Sequence, residues 1–73
     1  MFVKVVDKKY GHVTLYECVE VVFNRIKMPD TEIMVDIVTP TGCKTLQLEK
    51  VNTEIYIMNN DGKTIDKHTW MKT

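Results

Sequence analysis

Apolar and polar residues alternate with a period of two along nearly the whole chain, the spacing of half-buried β-strands. The pattern predicts a first strand over Met1–Asp7, followed by a turn at Lys8-Lys9-Tyr10-Gly11-His12. Gly11 is available there for the positive φ that such a turn needs. A long strand-like stretch runs from Val13 to about Ile26. Val13, Leu15, Val19, Val21 and Phe23 share one parity in it, and its length calls for a bend or bulge near Glu17–Glu20. Apolar residues at positions 15, 18, 19, 22, 23 and 26 also fit a helical spacing, but the β-branched valines and the missing caps favour a strand.

Turn chemistry divides the remainder. Pro29 within Lys27–Thr31 removes a donor and pushes Met28 towards an extended conformation. Thr39-Pro40-Thr41-Gly42 has the sequence of a tight type I turn. It predicts a hairpin between Glu32–Val38, with Ile33, Val35 and Ile37 inward, and Cys43–Glu49, with Leu46 and Leu48 inward. Lys50–Thr53 links to Glu54–Met58, with Ile55 and Ile57 inward. Asn59-Asn60-Asp61-Gly62 is the strongest hairpin signal, leading to Lys63–Lys67 and a tail from His68. The expected fold is an all-β antiparallel meander of six or seven short strands, either a curved sheet or a small closed barrel, forming one domain over residues 1–73.

The opposite face of these strands is not polar. Phe2, Val6, Val22, Met34, Val38, Tyr56 and Met58 fall on the outward parity. An exposed apolar side chain forgoes about 1.5–3 kcal/mol of burial, and a contiguous patch of them marks an interaction surface. Barrel closure, self-association and docking on another protein each account for the second face. Met34, Tyr56, Met58 and Trp70 are the candidate partner or oligomer contacts, since methionines adapt to contact surfaces and large aromatics anchor them. The methionines equally fit a gap-filling role in the core. Trp70 either plugs one end of the sheet or docks on a neighbour.

Composition narrows the function classes. Ten basic residues balance ten acidic ones, so no net field draws the chain to nucleic acid or to an anionic membrane. The chain contains no serine, and its three glycines stand apart at positions 11, 42 and 62, which excludes Gly-x-Ser-x-Gly and glycine-rich phosphate loops. Cys18, Cys43, His12 and His68 lack the paired spacing of a structural zinc site, and the Asn59–Gly62 segment lacks the ligand pattern of a calcium loop. The expectation is a non-enzymatic protein without metal or cofactor. The two cysteines read as small buried or half-buried hydrophobes, with a disulfide as the alternative. No signal peptide or membrane span is legible, so the expected location is cytoplasmic.

The tyrosine- and valine-rich strand pair, followed by hairpins with Pro-Thr-Gly and Asn-Asp-Gly turns, resembles the uncharacterised small β-meander proteins of bacteria and their phages. That resemblance implies a stand-alone accessory protein that works by binding, such as an inhibitor of a host factor. The leading expectation is a homo-oligomeric protein that occupies the surface of a protein partner. The alternative is a small-molecule or nucleotide sequestering protein, with Tyr10, His12, Tyr16 and Arg25 supplying stacking and charge. Single-stranded nucleic-acid binding, through Tyr10, Tyr16, Lys8, Lys9 and Arg25, ranks below both.

Overall fold

A computed structural model describes residues 1–70 and contains seven strands: β1 (Phe2–Asp7), β2 (His12–Glu17), β3 (Glu20–Phe23), β4 (Glu32–Thr39), β5 (Gly42–Glu49), β6 (Thr53–Met58) and β7 (Thr64–Thr69). A single 3-10 turn, Lys50–Asn52, precedes β6. The strands form two antiparallel sheets, one ordered β2-β1-β6-β7 and the other β3-β4-β5. No closed barrel forms, and the order is not that of a simple meander. The chain leaves the first sheet after β2, builds the second, and returns to place β6 beside β1. No helix among the described residues is long and apolar enough to cross a membrane.

The departure from a meander has a local cause. The long strand-like stretch breaks at Cys18-Val19, where neighbouring amides bond into different sheets. Cys18 N–H donates to the Met1 carbonyl at 2.9 Å, and Val19 N–H donates to the Val38 carbonyl at 2.8 Å. The corner also shifts the alternation by one residue. Val21 and Phe23 face inward opposite Ile37 and Val35, as expected. Val13 and Leu15 face outward instead, and are 61% and 57% exposed. Their inward places are taken by Thr14 and Tyr16, which pair with Val5 and Val3.

The turns behave as their residues dictate. The Asp7 carboxylate accepts from the Lys9 amide at 2.9 Å, and Gly11 adopts φ of 72°. At the Asn59–Gly62 turn, the Asn59 side-chain oxygen accepts from the amides of Asp61 and Lys63 at 2.9 and 3.0 Å. β7 extends through His68 and Thr69, two residues further than the sequence pattern reached. Its end is held by ring packing: the Phe23 and His68 centroids lie 4.4 Å apart, and those of His68 and Trp70 lie 6.5 Å apart. Trp70 is thus half-buried against the chain's own core.

Val3, Val5 and Ile55 from the first sheet meet Ile33, Val35 and Ile37 from the second, with Cys18 joining them from the corner. Val3, Val35, Ile37 and Ile55 are fully buried. Burying each such side chain stabilises the fold by about 1.5–3 kcal/mol, a large share of the roughly 5–15 kcal/mol that holds a typical domain together. Ile37→Ala is therefore expected to destabilise by about 2–5 kcal/mol. The effect should appear in urea titration as a lower midpoint with an unchanged slope.

Candidate functional site

The two sheets differ in what covers their outer faces. β4 is buried on both sides, from Ile33 through Ile37. Its outer side is closed by the segment that follows β3. Asn24 sits at a φ of 50°, in the left-handed region that asparagine tolerates better than most residues. Its amide donates to the Met34 carbonyl at 2.8 Å, and its side-chain oxygen accepts from the Met34 amide at 3.0 Å. Arg25 is thereby turned back over the sheet. Its Nε donates to Asp36 Oδ2 at 2.6 Å, while Thr45 Oγ1 donates to Asp36 Oδ1 at 2.6 Å.

This bracket changes the reading of Met34. Its parity is outward, as the sequence indicates, but it is only 8% exposed, and an Arg25 nitrogen lies 4.0 Å from its sulfur. Met34 is a covered residue and offers no contact surface. Asp36 is buried as well, with both carboxylate oxygens occupied. The hydrogen bond from Thr45, followed by that from Arg25, holds its carboxyl below the usual carboxylate range. Arg25 is in turn committed to Asp36.

The outer face of the first sheet is open. Because Val3 and Val5 point into the core, Phe2, Lys4 and Val6 point out, and the pairing register sets their neighbours. Phe2 stands between Glu17 and Met58; Lys4 between Leu15 and Tyr56; Val6 between Val13 and Glu54. Lys67 extends the middle row on the far side of Tyr56. Lys4 Nζ and Lys67 Nζ lie 4.5 and 5.3 Å from the centre of the Tyr56 ring, and the Tyr56 hydroxyl donates to Glu54 at 3.0 Å. Exposed lysine–tyrosine contacts of this kind are worth about 0.5–1 kcal/mol each. The result is an apolar sheet face with Tyr56 at its centre, and with two lysines balanced by Glu17 and Glu54.

Tyr56 and Met58 thus occupy one surface, whereas Met34 lies under Arg25 on the other sheet and Trp70 packs inward. Val13 and Leu15, which share one parity with the inward Val21 and Phe23 in the sequence, belong to the exposed face. Their alternation shows that they share a face but carries no mark of which sheet side is covered.

The residues proposed for a small ligand are not gathered into one site. Tyr10 and His12 meet at the first turn, with ring centroids 6.2 Å apart. Tyr16 lies towards the other end of β2 under Lys44, whose Nζ is 5.3 Å from the ring centre, and Arg25 is bound to Asp36 on the second sheet. Two clefts among the described residues lie elsewhere. One of about 210 Å³ involves Val5, Asp7, Gln47, Leu48 and Thr53, and another of about 280 Å³ involves Glu17, Cys18, Val19 and Pro40. Both fall below the roughly 300–1,000 Å³ of ordinary small-molecule sites.

Both cysteines are free; Cys18 is buried and its thiol pKa is pushed up by desolvation, whereas Cys43 is exposed. Among the described residues, no group of three or more His, Cys, Asp or Glu side chains is placed to hold a metal ion. Comparison with protein-family models, with curated proteins and with solved structures finds no match to the chain.

The Asp36 bracket has a defined pH signature. A carboxyl whose pKa is depressed by folding contributes stability above its unfolded value, near 3.9, and loses that contribution as pH falls through the lower folded value. Asp36→Asn is expected to lower the unfolding midpoint at neutral pH by about 4–8 °C, the shift that a modest loss of stability produces in a domain of this size. Thermal melts of both proteins should converge as the pH drops below about 4.

Proposed function

We propose that this chain is a non-enzymatic binding protein, and that its working surface is the outer face of the β2-β1-β6-β7 sheet, applied to the surface of a protein partner. The observation that carries this reading is the exposure of Val13 and Leu15 beside the half-buried Phe2, Val6, Tyr56 and Met58 on that face, while on the other sheet Arg25 lies over the outer side of β4. The charges on the open face favour a protein over a nucleic acid. Lys4 and Lys67 are matched by Glu17 and Glu54, which leaves no net field for phosphates.

In this reading Tyr56 is the anchor. Its two lysines lie over the ring in the free protein. Phe2, Leu15 and Met58 supply the surrounding apolar contact, and the lysines and glutamates form the polar margin that excludes water. Occupation of a partner's surface by such a face is the mode of action of an inhibitor or an accessory subunit.

The test is capture of a defined protein from lysate of the source cells. Tyr56→Ala should weaken capture by roughly 30-fold or more, as truncating a central aromatic anchor does. Glu20→Ala, on the outer side of the second sheet, should leave it unchanged. Wild-type capture by a folded protein carrying both Tyr56→Ala and Leu15→Lys would overturn the assignment of this face.

A further inference from the structure

We infer that the free edge of β5 pairs antiparallel with β5 of a second copy of the chain, joining two three-stranded sheets into one of six strands. This surface is separate from the open face of the first sheet and does not depend on the role proposed for it. The directions of the backbone groups carry the inference. On β4, the backbone groups of Met34 and the carbonyl of Val38 are turned to the β3 side, where they bond Asn24 and Val19. Backbone groups alternate along a strand, so Ile33, Val35, Ile37 and Thr39 turn theirs to β5, opposite Leu48, Leu46, Lys44 and Gly42. The remaining positions of β5, namely Cys43, Thr45, Gln47 and Glu49, aim their amides away from the sheet.

Such an edge is a template for another strand unless the chain blunts it; of the other three edges, β2 is as regular but shorter at six residues, and two are blunted. β3 has only four residues, and the β6–β7 pairing is interrupted by a register shift at Ile57/Met58. β5 is the longest edge strand at eight residues, with no proline and an unbroken register along its partner. On its inner side Leu46 and Leu48 are only half-buried against the core, so apolar surface at this edge remains to be covered.

The sequence of β5 selects a second copy as the occupant, because it complements itself when read antiparallel. With Leu46 facing Leu46 of the second copy, Thr45 stands opposite Gln47, Cys43 opposite Glu49 and Lys44 opposite Leu48. No like charges meet, and every outward amide finds a partner. A slip to the register centred on Gln47 would set Lys44 against Lys50 and shorten the overlap at the Gly42 end.

The experiment combines native mass spectrometry over a range of concentrations with a site-directed cross-link. The wild-type chain should give a dimer whose share rises with concentration. Gln47→Pro removes an outward amide that the fold itself does not use, and should leave a folded monomer. Glu49→Cys should give a covalent dimer on mild oxidation, because the introduced thiol faces Cys43 of the second copy but lies about 20 Å from Cys43 of its own strand at 3.3 Å per residue. Wild-type protein that stays monomeric throughout, or a dimer that survives Gln47→Pro and yields no cross-link through Glu49→Cys, would overturn the pairing.

Discussion

Adjacent amides bound to opposite sheets hold this fold together. Cys18 is tied to Met1 and Val19 to Val38, so the chain changes layer within two residues. A chain of 73 residues buries only about 60% of its unfolded surface, and a single sheet would bury less. Crossing at Cys18 lets Val3, Val5 and Ile55 meet Ile33, Val35 and Ile37 across one interior. Every later element follows from that crossing. β4 and β5 build on β3 because β3 already lies in the second layer, and the 3-10 turn after β5 carries the chain back to the vacant side of β1.

The sequence makes the local parts of this arrangement legible. The Thr39–Gly42 and Asn59–Gly62 turns, the extents of β4 to β6, and the inward places of Ile33, Val35, Ile37, Leu46, Leu48, Ile55 and Ile57 all follow from turn chemistry and alternation. The pairing of β1 with β6 does not, because nothing in either strand encodes a neighbour some fifty residues away. The orientation of β2 also escapes: an alternation sorts residues into two sets without saying which one is covered, and Val13 and Leu15 look like core residues. Only the corner at Cys18, with its one-residue shift, turns them outward.

The candidate surface was legible to the same degree. The outward placement of Tyr56 and Met58 is legible because apolar residues of one parity on a strand show as a pattern. Met34 shares that pattern but is covered by a tertiary event, the left-handed turn at Asn24 that lays Arg25 over β4. One unusual backbone angle thus covers the outer side of β4. The buried Asp36 is satisfied from two directions, by Thr45 of β5 and by Arg25, which ties the Arg25 side chain to β4.

The position of the one tryptophan gives the molecule its own optical reporter. Trp70 lies just beyond β7, with its ring beside His68 and packed at the end of the interior rather than at its centre. Its emission therefore follows the detachment of β7 from β6, while the amide circular dichroism follows all seven strands. Where the two signals change together, the two layers come apart as one cooperative unit. Where the indole signal moves first, the outer strand of the first sheet opens while the corner at Cys18 still holds.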